Sequence, residues 1–230
     1  MGFNEKVHAF IAARFYVRLT ETFGERGRKA FVHGTQYYAE QRGRRMAQRA
    51  IRDGMDLTYE TYLQYGEWVN TEEIKALGCA NQSEIKSFAP DYVINIHQCP
   101  WYTQFKEMGL PDAGHEYCAH LDNSICRGFN PYITYLVPQT LHKSDFCIHC
   151  IKDAGLQEGK KYTKKPEYLK PFEYHCAHSY WAYTEVVDTI FGVQGREIST
   201  AVLQDFAAEY GQEMADKLME YKDTNFNCAD

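Results

Sequence analysis

The sequence predicts an α+β fold in which a small antiparallel sheet in the middle of the chain is packed by N- and C-terminal helices. The candidate strands are grouped between two helical stretches, and this grouping favours α+β over alternating βαβ units. A length of 230 residues with 44% hydrophobic residues suits one domain with an ample core. We therefore predict a single domain over 1–230, with a helical part at 1–82, an α+β core at 83–158 and C-terminal helices at 159–224.

The N-terminal part is predicted to contain two main helices. The first carries an apolar stripe at helical spacing, formed by Phe3, Val7, Phe10 and Ile11. The second covers about 26–53 and ends at Gly54. Four arginines alternate with helix formers along it and predict a solvated helix face: Arg42, Arg44, Arg45 and Arg49. A short helix is expected near 71–77.

The middle of the chain is predicted to hold the sheet and two helices. The expected strands cover 84–88, 91–98, 132–137 and 144–151, because β-rich runs are bounded there by turn residues. Helices are expected at 99–108 and 111–126. Beyond a polar loop at 159–165, two helices are predicted at 166–191 and 199–221. The last residues, 225–230, are predicted to be mobile, which makes Cys228 a poor site candidate.

Charge and composition limit the expected partners. The net charge of −6 argues against a nucleic-acid-binding surface. No apolar run reaches the length of about 18 residues that a membrane span needs, and no signal peptide is recognisable. We therefore expect a cytoplasmic protein with a small-molecule partner, and self-association into a homo-oligomer stays open. The eight cysteines would be reduced there, so they indicate metal binding, catalysis or burial.

One predicted helix face carries an unusual set of polar side chains. His115, Cys118, Asp122 and Cys126 are spaced three, four and four residues apart, so they share one side of a helix. A structural helix would place Leu, Ile or Ala on such a face. The alternative is that the thiols are small core residues, but a buried Asp122 would still need a partner. The stripe therefore indicates a functional site.

Strand alternation assigns further His and Cys side chains to faces of the sheet. In the strand at 91–98, His97 and Cys99 share a face, whereas in the strand at 144–151, Cys147 and His149 share a face. We predict that these two faces point to the same site and that Cys150 lies in the core. His175 and His178, one turn apart, either bind a metal or line an amphipathic helix surface.

Several short motifs, taken in order, resemble the L-2-amino-thiazoline-4-carboxylic acid hydrolase family. The motifs are Cys99-Pro100, Cys118-Ala119-His120-Leu121-Asp122, Gly128-Phe129-Asn130-Pro131, Leu141 and Asp145-Phe146-Cys147. The resemblance implies a bacterial hydrolase that opens a small cyclic amidine at a carbon–nitrogen bond. Family members often carry an acidic residue directly after the helix cysteine, where this chain has Ala119, so the substrate or the chemistry here differs if that acid matters.

Given this resemblance, two chemistries stay open for the same side chains. In the first, Cys118 is a nucleophile, His97 or His149 lowers its pKa, and Asp122 holds the amidinium or orients a histidine. In the second, Cys99, Cys118 and Cys147 bind zinc or another divalent metal that activates water. The substrate-binding candidates are Asn130, Trp101 and His115. A non-catalytic alternative is a metal- or cofactor-binding sensor or redox protein that uses the same cluster.

Overall fold

A computed structural model describes residues 2–229 of the protein. In chain order the helices and strands are α1 (Glu5–Phe23), α2 (Glu25–Arg52), α3 (Tyr59–Gln64), α4 (Glu72–Ala76), β1 (Gln82–Ser87), β2 (Tyr92–Gln98), α5 (Pro100–Glu107), α6 (Pro111–Phe129), β3 (Tyr135–Gln139), β4 (Cys147–Ile151), α7 (Phe172–Phe191), α8 (Val193–Tyr210) and α9 (Gln212–Met219). This order confirms the predicted α+β class. None of the helices within residues 2–229 has the length and apolar character needed to cross a membrane.

The sheet is antiparallel throughout and its strands lie in the order β1-β2-β4-β3. In the central pair, Ile96 lies opposite Cys147 and Ile94 lies opposite His149. Residues directly opposite each other point to the same side of a sheet. The side that carries Cys147 and His149 is therefore the side that faces the helices, because both side chains are buried.

Local signals position the helices beside this sheet. The Asn4 side chain caps α1 by accepting hydrogen bonds from the backbone N–H groups of Lys6 and Val7. Pro111 begins α6 at a position where its missing N–H is not needed. Phe10, Phe15 and other apolar side chains of α1 pack into a core shared with α7 and α8. Helix α6 thus packs against α2 and β3, and α1 packs against α2, α5, α7 and α8.

The crossing of α2 and α6 depends on two glycines. A Cβ atom on Gly43 would collide with the carbonyl oxygen of Ile125, and one on Gly128 would collide with the carbonyl oxygen of Glu40. Only glycine permits such close backbone approach. The two helices therefore lie in direct backbone contact.

Two predictions for the C-terminal part are wrong. The helix expected over 199–221 breaks at Gly211, whose φ of 92° is a left-handed conformation that glycine favours. The tail expected to be mobile is packed against α2 over residues 225–229, while Asp230 lies outside the described residues. Phe226 is buried, and its carbonyl accepts a hydrogen bond from Arg45 Nη1 at 2.5 Å. Cys228 is exposed.

Candidate functional site

A cavity of about 170 Å³ lies between the helix-facing side of the sheet and helices α1, α2, α5 and α6. Its wall is formed by His8, Tyr38, Arg42, Trp68, Asn81, Ile96, Cys99, Trp101, Tyr117, Cys118, Leu121, Asp122, Cys147 and His149. A cavity of roughly 150 Å³ can hold a benzene molecule. This volume therefore suits a ligand built on one small ring.

One wall of the cavity is the face of α6 that carries Cys118 and Asp122. The two residues are four apart, so their side chains lie one above the other. Within residues 2–229 the Asp122 carboxylate accepts no hydrogen bond and forms no ion pair. A carboxylate in a cavity normally has a compensating partner, because burial of an unpaired charge is unfavourable. Asp122 is thus available to a ligand that carries a positive charge.

Three thiols surround this carboxylate. Burial raises the pKa of the Cys118 thiol well above its usual range, and the neighbouring Cys99, Cys147 and Asp122 add to the shift. Burial also raises the pKa of Cys99 to about 12 and that of Cys147 to about 11. Cys147 Sγ accepts a hydrogen bond from the backbone N–H of Leu141 at 3.1 Å. All three thiols are therefore protonated near neutral pH when the cavity holds no ligand.

His149 supplies an imidazole to the same cavity. Its Nδ1 lies 2.7 Å from the Tyr135 hydroxyl. Burial lowers the pKa of His149 and the charge of Asp122 opposes this shift, so the ring is neutral at pH 7. In the tautomer whose Nδ1–H donates to Tyr135, Nε2 carries the lone pair and is a base.

A second imidazole, from α1, belongs to a fixed hydrogen-bonded group in the wall. The Trp101 indole N–H donates to His8 Nδ1 at 3.0 Å, and His8 Nε2 lies 3.0 Å from the Tyr38 hydroxyl. Because Nδ1 accepts, Nε2 must carry the proton and donate to Tyr38. Burial lowers the pKa of His8 well below its usual range. Trp101, a predicted substrate-binding residue, therefore lies in the cavity wall in a fixed orientation.

The part of the cavity wall that α2 contributes contains a buried arginine. Arg42 and its neighbours Arg45 and Arg49 are 7%, 0% and 1% exposed, so the predicted solvated face of α2 is wrong for these three residues. Glu67 makes their burial possible, because Arg45 donates to it at 3.0 and 2.7 Å and Arg49 donates at 2.6 Å. Their spacing of three and four residues is that of a buried helix stripe and is the sequence signal that was missed.

The structure brings some of the predicted site residues together and leaves others outside. Cys99, Cys118, Asp122, Cys147, His149 and Trp101 all line the cavity. Three predicted site residues do not line it: His97, Asn130 and His115.

His97 lies on the other side of the sheet, near Phe146 and 3.7 Å from Glu84 Oε2. The predicted shared facing of His97 and Cys147 is therefore wrong, because the strand register places Ile96 opposite Cys147. Cys150 lies on the same outer side and is half-buried, so its predicted place in the core is also wrong.

Asn130 and His115 have structural contacts instead. The Asn130 amide donates to the Leu57 carbonyl at 2.8 Å, and its oxygen accepts from the backbone N–H of Tyr132 at 3.0 Å. His115 Nδ1 lies 2.9 Å from the Thr140 hydroxyl. Asn130 therefore stabilises the turn after α6.

His175 and His178 are buried in α7, so they do not line a helix surface. His175 Nε2 lies 3.1 Å from the Glu67 carbonyl, and His178 Nε2 lies 2.8 Å from Gln41 Oε1. Across the described residues 2–229, no group of three or more His, Cys, Asp or Glu side chains converges closely enough to hold a metal ion. The thiols in the cavity therefore do not form an assembled metal site in this arrangement.

An enclosed cavity of this size, with a few polar groups among aromatic side chains, is typical of proteins that bind or convert a small molecule. The chain belongs to the L-2-amino-thiazoline-4-carboxylic acid hydrolase family, whose model matches residues 4–150. This confirms the resemblance seen in the motifs and implies hydrolase activity on carbon–nitrogen bonds. Neither the curated proteins nor the solved structures give a match. Every residue that lines the cavity falls within the matched region.

Proposed function

We propose that the protein hydrolyses a ring carbon–nitrogen bond of a small cyclic amidine of the 2-aminothiazoline-4-carboxylate type. The observation that carries this proposal is the Asp122 carboxylate, which has no protein partner in residues 2–229 and lies beside Cys118 and His149 in the cavity. An amidinium is planar, positively charged and rich in N–H donors, so it complements a carboxylate. The family match supports the reaction class.

The first step is attack of Cys118 Sγ on the amidine carbon. In the empty cavity the thiol is protonated, because burial and Asp122 raise its pKa. A bound amidinium neutralises the field of Asp122 and places a positive charge beside the thiol, and both changes lower the thiol pKa. His149 accepts the thiol proton and passes it to the ring nitrogen. The carbon–nitrogen bond of the ring breaks, and that nitrogen leaves as an amine.

The second step is attack of water on the same carbon, which is now bonded to Cys118 Sγ. His149 accepts one proton from the water and returns it to the Cys118 sulfur as the bond between that sulfur and the carbon breaks. The second proton of the water goes to the released ring amine, which becomes an ammonium group. The carbon ends as a neutral carbonyl that keeps its ring sulfur and its exocyclic nitrogen. The net reaction consumes one water and breaks one ring carbon–nitrogen bond, and Asp122 holds the positive charge beside the reacting carbon until the carbonyl forms.

The test is turnover of 2-aminothiazoline-4-carboxylate, followed by mass spectrometry. Wild-type protein should add one water to the substrate, and Cys118→Ala should abolish the reaction. His149→Asn should slow turnover strongly, because His149 transfers a proton in both steps, and any adduct trapped on the wild-type protein should map to Cys118. Cys228→Ala is the matched control, because that thiol is exposed and far from the cavity wall, and it should leave turnover unchanged. Absence of turnover by wild-type protein would contradict the proposal.

The metal-binding alternative requires the cavity thiols to converge on one ion, which residues 2–229 do not show. Metal analysis of wild-type protein purified without chelator separates the two. A stoichiometric metal that shields Cys99, Cys118 and Cys147 together from iodoacetamide would replace the nucleophile role of Cys118. Labelling of Cys118 without chelator treatment supports the thiol mechanism.

A further inference from the structure

Arg42 is a buried cation with hydrogen-bonding capacity to spare. Its guanidinium is 7% exposed, lines the cavity and makes no hydrogen bond within the described part of the chain. Nε is fully buried without a hydrogen-bond partner. Its nearest carboxylate oxygen is Glu67 Oε2 at 3.9 Å, which is too long for a hydrogen bond. A buried guanidinium in this condition is unfavourable unless a ligand completes its bonding.

Glu67 cannot complete the hydrogen bonding of the Arg42 guanidinium. Arg45 donates to both oxygens of Glu67, and Arg49 donates to Oε1 at 2.6 Å. Although burial alone would raise the pKa of Glu67, Arg45 and Arg42 hold it at about 2, with a contribution from His175, so the carboxylate stays ionised. Both Glu67 oxygens already accept hydrogen bonds, whereas Nε of Arg42, which lines the cavity, has no hydrogen-bond partner among the described residues.

A second cation lies near the same indole. Arg42 Cζ is 5.9 Å from the Trp68 ring centroid, and Lys164 Nζ is 4.8 Å from it. Lys164 Nζ also donates to the Trp68 carbonyl at 2.5 Å. Burial and the charge of Arg42 together lower the pKa of Lys164 to about 8, and Asp122 opposes the shift. Lys164 is therefore close enough to both cavity charges to respond to them.

The loop that carries Lys164 is held in place on both sides. Lys160 Nζ lies 2.6 Å from Glu60 Oε1, and Lys165 Nζ lies 2.9 Å from Asp53 Oδ2. The loop was expected to be only a boundary before the C-terminal helices. It lies outside the region matched by the family model, which ends at residue 150. Lys164 is thus a contribution of this chain beyond that region.

We propose that Arg42 in the cavity wall, assisted by Lys164 near the same Trp68 ring, forms an anion receptor that selects ligands with a carboxylate. The cavity then offers a cation at Arg42 and a carboxylate at Asp122. This pair suits a small ring that carries both a carboxylate and an amidinium. The ligand class rests on the proposed function, whereas the anion receptor rests on the two cations themselves.

The probe is thiazolidine-4-carboxylate, which has the ring and the carboxylate but no amidine to hydrolyse. Its neutral partner is thiazolidine-4-carboxamide. Wild-type protein should bind the carboxylate roughly 10- to 100-fold more tightly than the carboxamide by calorimetry, because charge-assisted hydrogen bonds have this magnitude. Equal affinities for the two probes would overturn the anion receptor.

Three variants test which side chains cause the preference for the carboxylate over the carboxamide. Arg42→Met keeps the volume of the side chain but removes its charge, and should bring the two affinities to within about twofold of each other. Lys164→Met should reduce the preference by about three- to tenfold. Lys161→Met is the matched control, because this lysine is exposed on the same loop and makes no contact recorded within residues 2–229; it should change nothing. An unchanged preference in both Arg42→Met and Lys164→Met would refute the proposal.

The pH dependence separates a direct charge effect from a structural one. From about pH 7 to about pH 9, wild-type affinity for the carboxylate should fall as Lys164, with its pKa of about 8, loses its proton. The groups that act on Lys164 are Arg42 from α2, Asp122 from α6 and the Trp68 carbonyl. In Lys164→Met the profile should become flat. If Arg42→Met does not fold, Lys164→Met and this profile still decide the question.

The probe also separates this proposal from the proposed function. Preferred binding of thiazolidine-4-carboxylate, without turnover of 2-aminothiazoline-4-carboxylate, would support the anion receptor and reject the hydrolysis. Turnover of 2-aminothiazoline-4-carboxylate without a preference for the carboxylate probe would support the hydrolysis and reject the anion receptor.

Discussion

The carboxylates of Glu67 and Asp122 differ in their surroundings. Glu67 is fully buried, with Arg45 and Arg49 bonded to both of its oxygens. Asp122 lies in the cavity wall and has no bonded partner among residues 2–229. A paired buried charge stabilises the fold only while its partners remain, whereas an unpaired one in a cavity is available for binding. The first carboxylate is therefore structural and the second is the functional candidate.

The largest expected effect is on stability at Glu67. Glu67→Gln should reduce the free energy of unfolding by about 3–5 kcal/mol, because Arg42 and Arg45 lose their buried counter-charge and Arg49 loses a hydrogen-bonded carboxylate. Urea unfolding measures the change. A loss smaller than about 1 kcal/mol would show that the arginines are compensated in another way.

In contrast to Glu67→Gln, Asp122→Asn should reduce turnover and leave stability nearly unchanged. We expect turnover to fall roughly 100- to 1000-fold, because the positive charge of the substrate loses its counter-charge. Stability should change by less than about 1 kcal/mol, since no protein partner is lost. Steady-state kinetics and urea unfolding on the same preparation check both parts. A large stability loss with normal turnover per folded molecule would reverse the roles of the two carboxylates.

The structural cluster also predicts acid sensitivity. Burial lowers the pKa of His175 to about 3 and that of His178 well below its usual range. The unfolded chain therefore takes up protons below about pH 6.5 that the folded chain does not, so stability is greatest above that pH and falls as the pH falls. Each such histidine contributes a slope of about 1.4 kcal/mol per pH unit. Glu67, with a pKa of about 2, adds a further loss below about pH 4.5.

Unfolding free energies measured from about pH 8 to about pH 5 check this slope. The variant His175→Gln should reduce the slope by about 1.4 kcal/mol per pH unit, which is the contribution of one bound proton. A flat profile in the wild-type protein would mean that these histidines are not held neutral.

The smallest effect concerns the reactivity of Cys118. Asp122 is one of the groups that raise the pKa of this thiol, so Asp122→Asn should lower that pKa and speed iodoacetamide labelling. An increase of about three- to tenfold corresponds to at most one pKa unit. Cys228, which is exposed, is the internal control and should label at the same rate in both proteins. An unchanged rate at Cys118 would show that the carboxylate does not act on the thiol.

Local periodicity explains why part of the site was predictable. The helical spacing of Cys118 and Asp122 and the strand alternation of Cys147 and His149 are properties of one segment each, and the structure places all four in one cavity. Periodicity does not report how two strands are paired. His97 was therefore assigned to the wrong side, since only the register of β2 with β4 decides it.

The buried arginines were missed for a related reason. Arginine is rarely buried, so a run of arginines on a helix predicts solvent exposure. Burial becomes possible only through Glu67, which is 18 residues from Arg49 and 22 from Arg45. The role of Lys164 was missed for the same reason, because its partner Trp68 lies 96 residues away in the sequence. The spacing of the arginines places them on one helix face, but a single sequence does not show which distant residue packs against that face.

The contact between Gly43 and Gly128 has a consequence for how this cavity can change. Arg42 is the neighbour of Gly43 on α2, and Asp122 lies less than two turns before Gly128 on α6. The separation of the two charged walls therefore depends on a helix spacing that two missing side chains permit. One methyl group at either glycine would push α2 and α6 apart without altering any residue that meets the ligand. Ligand size and ligand chemistry are thus set at different positions of the sequence, and each is open to variation on its own.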